Sequence, residues 1–228
     1  MTFHSRKRPG HWLHYVEAGD PSRPTILFVH GATGDWYNYV QQVEHFGRHY
    51  HVVALDQRGH GRSPWPGPSS LDDFYSDLEE VLLWLDRPVF LVGHSFGGSL
   101  CSRLAAEHPD RIRRLVLINT CARFPKGLPY RVMQLFVSGA DLLARPQGIL
   151  TTGSEVCRHL LYRTLKDWDM TRFYRAVQAP TLMIAGAWDP LVPVWVARAS
   201  AALIPGSRFH VLPLSAHVQI ASVPSRNE

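Results

Sequence analysis

Cysteine is scarce in this sequence, with three residues among 228 and no C-x-x-C spacing. Cys101, Cys121 and Cys157 are odd in number and widely scattered, which excludes a disulfide framework of the kind that small secreted domains use. The same spacing gives no indication of a zinc site. We therefore expect buried or idle thiols and no bound metal.

Long apolar runs are also missing. No stretch of 18 apolar residues occurs, and residues 1–9 (MTFHSRKRP) lack the apolar segment of a secretory signal. These absences predict no membrane span and a cytoplasmic location.

The charge pattern lacks the basic stripe or reader motif that a nucleic-acid-binding protein needs. The formal net charge is +5, but the arginines are spread along the chain, with only short clusters at 6–8 and 111–114. We expect a solvated basic surface, no nucleic-acid partner and a small molecule as the substrate.

Hydrophobic residues make up 45% of the chain, enough to bury the core of one domain. Apolar runs of strand length recur between turn residues, at 12–16, 25–29, 51–55, 89–92, 115–118, 181–185 and 209–212. Most are continuous, which is typical of strands buried on both faces. A helical spacing of apolar residues over 71–85 lies between two of these strands. This alternation predicts an α/β fold with a mostly parallel central sheet flanked by helices.

Residues 121–178 break this alternation. Helix-like pieces at 131–143 and 155–165 are separated by glycines and prolines, and no convincing strand is present. We interpret 121–178 as a short helical lid inserted into a core formed by 1–120 and 179–228.

The most informative motif is Gly-His-Ser-Phe-Gly at 93–97, between a strand-like run and a helix-like run. A sharp strand-to-helix turn of this kind needs glycine two positions either side of Ser95, where the two backbones approach. It exposes the serine Oγ at a helix N-terminus, where N–H groups stabilise a developing anion. Ser95 is therefore our candidate nucleophile.

A serine nucleophile needs a base to accept its proton and an acid to orient that base. Asp189 and His217 each follow a predicted strand, so both are expected at the sheet edge that bears Ser95. Their order along the chain is the one recorded for nucleophile-elbow folds. For the oxyanion, we predict the backbone N–H groups of Phe96 and Ala32 as donors.

The chain resembles the α/β-hydrolase superfamily, in particular its serine esterases and lipases. The similar segments are 13–20 (LHYVEAGD), 29–32 (VHGA), 55–63 (LDQRGHGRS), 92–98 (VGHSFGG), 108–112 (HPDRI) and 180–186 (PTLMIAG). The resemblance implies the same two oxyanion donors. It argues against haloalkane dehalogenases and epoxide hydrolases, which carry aspartate where this chain has Ser95. Some members place the acid after the sixth strand, where this chain has Asn119, so Asp189 stays the better candidate.

We therefore predict a serine hydrolase that cleaves esters of small to medium acyl chains without a cofactor. Lactone hydrolysis, carbon–carbon bond hydrolysis and perhydrolysis use the same triad in the family and stay open. Trp36 and Trp188 are candidate substrate-binding residues, although aromatic residues near strand ends are at least as often part of a core. Relatives usually continue from the histidine into a full helix, whereas only 218–228 follow here. This difference is the one support for a non-catalytic, ligand-binding alternative.

Overall fold

The computed structural model describes residues 1–8, 10–123, 154–165 and 168–217. Eight strands of this part of the chain form one sheet. They are β1 (Thr2–Arg8), β2 (His11–Ala18), β3 (Thr25–Val29), β4 (His51–Leu55), β5 (Val89–His94), β6 (Ile112–Ile118), β7 (Thr181–Gly186) and β8 (Arg208–Leu212).

The strand order across the sheet is β1-β2-β4-β3-β5-β6-β7-β8. The β1–β2 and β2–β4 pairs are antiparallel, and all other neighbours are parallel. The predicted mostly parallel sheet is therefore confirmed. Because β3, β5, β6, β7 and β8 run in one direction, their carboxyl ends meet at one edge.

Six α-helices accompany the sheet in the described residues. They are α1 (Val40–Phe46), α2 (Leu71–Leu85), α3 (Ser95–Glu107), α4 (Ser154–His159), α5 (Thr171–Ala176) and α6 (Val194–Ala201). Helix α2 has the predicted bounds, and a capping box fixes its start: Ser70 Oγ accepts from the Asp73 N–H while the Asp73 carboxylate accepts from the Ser70 N–H.

The core lies on both faces of the sheet, as the continuous apolar runs predict. On β3, Leu27 and Val29 belong to the larger apolar cluster, which includes residues of α2 and α3. Ile26 and Phe28 point to the opposite face and pack in a second cluster with Val43 of α1. Alternate residues of a strand point to opposite faces, so a run without polar positions can fill both clusters.

Two parts of the fold differ from the sequence prediction. Strand β1 was not predicted, because its sequence TFHSRKR contains one large apolar residue and its exposed face needs no others. The predicted helix over 155–165 begins at Ser154 as α4 and continues from Leu160 to Thr164 as a π-helical turn. The predicted helix over 131–143 lies outside the described residues, so the boundaries of the insertion stay a prediction.

None of the three cysteines forms a disulfide, and all three are buried, as expected. Within the described residues, no helix is long and apolar enough to cross a membrane.

Candidate active site

Ser95 lies at the junction of β5 and α3, on a backbone turn that is strained. Its φ angle is +49°, in the left-handed region that residues other than glycine rarely adopt. A conformation of this kind costs about 1–3 kcal/mol and is found mainly at functional sites. The flanking glycines permit the turn: a Cβ atom on Gly93 would lie 2.6 Å from Gly98 Cα, and one on Gly97 would lie 2.6 Å from the Val29 carbonyl oxygen.

The structure brings Ser95, His217 and Asp189 into one hydrogen-bonded chain. Ser95 Oγ lies 3.0 Å from His217 Nε2, and His217 Nδ1 lies 2.8 Å from Asp189 Oδ2. In the neutral imidazole, Nδ1–H donates to the carboxylate and Nε2 accepts from the serine hydroxyl. The Asp189 side chain is fully buried, while that of His217 is 14% exposed.

Asp189 is held by its own turn as well. Its Oδ1 atom accepts from the backbone N–H groups of Leu191 and Val192, at 2.8 and 2.9 Å. The Asp189 carboxylate therefore has two roles: Oδ1 forms the turn, and Oδ2 orients the imidazole. This division leaves Oδ2 directed at His217.

His94 supports the loop that carries His217. Its Nε2–H donates to the carbonyl oxygen of His217 at 2.7 Å. Burial, together with the nearby His217, lowers the pKa of His94 from 6.5 to about 3. His94 is therefore neutral at physiological pH and acts as a hydrogen-bond donor to backbone, in agreement with a structural role.

The strand end of β6 carries two residues whose role the sequence did not reveal. The Asn119 amide contacts the His217 loop and the start of the Asp189 turn, and Thr120 contacts the Ser95 turn. In the sequence, Asn119 stands out only as a position without an acid. Its place directly after a buried parallel strand, beside the candidate residues, was the available signal.

The loop after β3 lies against Ser95. His30 Nδ1–H donates to the Gly31 carbonyl at 2.7 Å, while Nε2 accepts from the Gln57 N–H at 3.0 Å. Burial holds the pKa of His30 well below its ordinary value, so the ring is neutral, and the two hydrogen bonds fix this tautomer. His60 Nε2 lies 2.9 Å from the Ala32 carbonyl oxygen, so the carbonyl groups on both sides of the Ala32 N–H are in contact with buried histidine side chains.

The two candidate substrate-binding tryptophans differ in their surroundings. Trp36 is partly buried and meets Phe3 edge-on, with ring centroids 5.6 Å apart. Trp188 is 73% exposed, and its backbone N–H donates to the Ser215 carbonyl, two residues before His217. Trp188 therefore lies beside the histidine loop, whereas Trp36 packs with the β1 strand. Their role in substrate binding stays a prediction.

No cluster of three or more histidine, cysteine, aspartate or glutamate side chains in the described part of the chain could hold a metal ion. This arrangement can move one proton between the Ser95 hydroxyl and the His217 imidazole, which the buried Asp189 carboxylate orients.

Comparison with known proteins places these features in context. A sequence profile for the alpha/beta hydrolase fold matches residues 24–149. Epoxide hydrolase 4 of Mus musculus is 36% identical over 117 residues, which are 50% of this chain and 33% of that protein. This chain spans about a third of the length of the epoxide hydrolases that it matches.

Two further proteins are similar over most of the chain. The non-heme haloperoxidase of Rhodococcus erythropolis is 30% identical over 234 residues, covering 84% of this chain and 85% of that protein. The crystal structure of the enol-lactonase from Burkholderia xenovorans LB400 superposes with a TM-score of 0.80 at 25% identity, covering 96% of this chain and 94% of that chain.

Proposed function

The chain belongs to the alpha/beta hydrolase fold family, and we propose that it is a serine hydrolase that cleaves carboxylic esters of small to medium acyl chains. One observation carries the proposal: the unbroken hydrogen-bonded chain from Asp189 through His217 to Ser95. A buried acid, an oriented imidazole and a serine on a strained turn are the parts that covalent acyl transfer requires.

In the proposed reaction, the Ser95 oxygen attacks the ester carbonyl while its proton passes to His217 Nε2. Asp189 stabilises the imidazolium that forms, and His217 then returns the proton to the leaving alcohol. The acyl group stays on the Ser95 oxygen until water, deprotonated by the same imidazole, attacks the ester and releases the acid. These steps need no cofactor.

The negative charge on the carbonyl oxygen requires preorganised donors. We assign this role to the backbone N–H groups of Phe96 and Ala32. Phe96 is the second residue of α3, where the N–H groups have no partner within the helix. Ala32 follows Gly31, which lies against Ser95, and its carbonyl is anchored by His60. Both assignments rest on position along the backbone beside the serine.

Epoxide opening is a less suitable reaction for this site, despite the similarity to epoxide hydrolases. Members of the family that open epoxides carry an aspartate nucleophile. The aspartate forms an ester with the opened epoxide, and this ester is hydrolysed at the carboxyl carbon. A serine that opened an epoxide would form an ether, which water does not readily cleave. Ser95 therefore favours an acyl substrate.

Lactones are the second candidate substrate class. The similarity of the fold to an enol-lactonase over nearly the whole of both chains supports this class as the second candidate. A lactone is a cyclic ester, so Ser95, His217 and Asp189 would have the same roles. Only the shape of the substrate-binding cavity would differ.

The test is covalent labelling with a fluorophosphonate, read by intact mass, together with hydrolysis of p-nitrophenyl acetate, butyrate and octanoate and of a lactone panel. We expect labelling at one site that Ser95→Ala abolishes and His217→Gln strongly slows. Ser102→Ala is the matched control, because Ser102 is a buried serine of the same helix whose hydroxyl donates to the Gly98 carbonyl. Its labelling should equal that of the wild type.

Absence of labelling in a folded wild type would overturn the proposal and favour a ligand-binding role. Labelling that persists in Ser95→Ala would overturn the assignment of the nucleophile. A preference for lactones over open esters would keep the mechanism and select the second substrate class.

A further inference from the structure

The end of strand β6 touches all three segments that carry Ser95, His217 and Asp189. Asn119 and Thr120 follow the last residue of β6 directly and are almost fully buried, at 0% and 2% exposure. Neither residue belongs to the hydrogen-bonded chain itself. Their contacts include backbone groups of each segment from which the three side chains project.

The Asn119 amide joins the histidine loop to the aspartate turn. Its Nδ2 atom donates to the carbonyl oxygens of Ala216 at 2.9 Å and His217 at 2.7 Å. Its Oδ1 atom accepts from the N–H of Gly186 at 2.8 Å. Gly186 ends β7, and its own carbonyl accepts from the Asp189 N–H. One planar amide therefore spans the two segments whose side chains must meet.

Thr120 makes the corresponding contact with the nucleophile. Its hydroxyl donates to the carbonyl oxygen of Ser95 at 2.7 Å, and it lies 3.0 Å from the hydroxyl of Ser99 on the next turn of α3. Asn119 has a left-handed backbone conformation, with φ at +46°. In this conformation, the side chains of Asn119 and Thr120 contact different segments.

We propose that Asn119 and Thr120 form a positioning pair, which sets the distances among Ser95, His217 and Asp189 without touching the substrate. This inference rests on the proposed function, because it concerns the same reaction. Three segments that are far apart in sequence converge here, and a displacement of about 1 Å between reacting groups can cost on the order of 100-fold in rate. The pair ties each segment to the rigid end of a buried strand.

A purely structural role makes a different prediction. Removing the Asn119 amide leaves buried carbonyl and N–H groups without a partner, which lowers stability whatever the site does. If stability were its only role, kcat would stay unchanged in the folded variant. The positioning role predicts a fall in kcat with little change in KM, since substrate contacts are intact.

The experiment compares Asn119→Gly with Asn119→Ala. Glycine adopts a positive φ without strain, whereas alanine does not, so the two variants lose the same amide but differ in backbone strain. We expect both to lower kcat for p-nitrophenyl butyrate by about 10- to 100-fold, with Tm lower in Asn119→Ala. The matched control is Thr25→Val, which removes a buried hydroxyl bonded to His51 at the opposite end of β3 and should lower Tm without lowering kcat.

Thr120→Val and Thr120→Ser separate the hydroxyl from the rest of the side chain. We expect the valine variant to lose activity and the serine variant to recover most of it. The positioning role would be overturned if both folded Asn119 variants had the wild-type kcat. It would also be overturned if Thr120→Val and Thr120→Ser were equally active.

A readout that does not depend on turnover is the proton NMR resonance of His217 Nδ1–H at low field. Its position depends on the contact with Asp189. We expect the resonance to shift or broaden in Asn119→Gly and to stay unchanged in Thr25→Val. An inactive wild type would overturn the proposed function, while an unchanged resonance in Asn119→Gly would overturn the positioning pair separately.

Discussion

Gly31 lies directly against Ser95. A Cβ atom added to Gly31 would lie 3.2 Å from the Ser95 Cβ atom and 2.8 Å from His94 Nδ1. Both neighbours are held in place, since Ser95 sits on a strained turn and His94 bonds to the His217 carbonyl. The backbone that leads to the Ala32 N–H can therefore approach the serine only if residue 31 has no side chain.

Gly31→Ala should lower kcat/KM for ester hydrolysis by about tenfold or more, because the loop must move away from Ser95 and take the Ala32 N–H with it. Steady-state kinetics measure this. The control is Gly206→Ala, where an added Cβ meets open space but the φ of +66° makes alanine strained. That variant should lose stability and keep its activity; equal kinetics in the two variants would contradict the argument.

Asp189→Asn should lower kcat on the order of 10³-fold or more, because an amide presented to His217 Nδ1 favours the wrong tautomer and cannot stabilise the imidazolium. Fluorophosphonate labelling should slow in parallel with ester hydrolysis. Asp20→Asn is the matched control. Asp20 also accepts from a backbone N–H two residues ahead, at Ser22, but its side chain is exposed and pairs with Arg23. Comparable losses in both variants would show that turn formation, not orientation of His217, explains the effect.

The sequence allowed the sheet and the convergence of Ser95, Asp189 and His217 to be predicted for one physical reason. Parallel strands buried on both faces leave continuous apolar runs, and residues that follow such runs must gather at one edge. Ser95 and Asp189 follow runs of this kind, whereas His217 follows the partly exposed edge strand β8. Strand β1 leaves no run, because an edge strand with exposed faces can be built from polar residues.

The position of Asn119 at the strand end was visible in the sequence, but its hydrogen-bond partners could not be predicted, because they are backbone atoms. Carbonyl oxygens of Ala216 and His217 and the N–H of Gly186 exist at nearly every residue, so no residue type marks them. Which backbone groups an amide meets depends on how β6 and β7 pair and on where the last loop turns back. Such contacts become visible only in three dimensions.

Ser70→Ala should destabilise the protein by about 1 kcal/mol and leave hydrolysis unchanged. The substitution removes the hydroxyl that accepts from the Asp73 N–H at the start of α2. Chemical denaturation gives the free energy of unfolding, and kcat with p-nitrophenyl butyrate gives the activity. Ser70→Thr keeps the hydroxyl and should restore most of the stability. A loss of kcat in Ser70→Ala would show that α2 is coupled to the site.

His94→Gln should change how stability depends on pH. Folded His94 has its pKa lowered to about 3, whereas the unfolded side chain titrates near 6.5, so the unfolded state binds more protons between these values. Stability from this residue is therefore complete above pH 6.5 and is lost as pH falls towards 3.

Glutamine keeps a donor for the His217 carbonyl but does not titrate. The free energy of unfolding of the wild type minus that of His94→Gln, measured by urea denaturation from pH 4 to pH 8, should rise with pH up to about 6.5 and then level off. His217 and Asp189, which interact electrostatically with His94, are present in both proteins, so their own contributions to the difference largely cancel. A difference that does not vary with pH would mean that His94 takes up its proton in the folded protein as easily as in the unfolded chain.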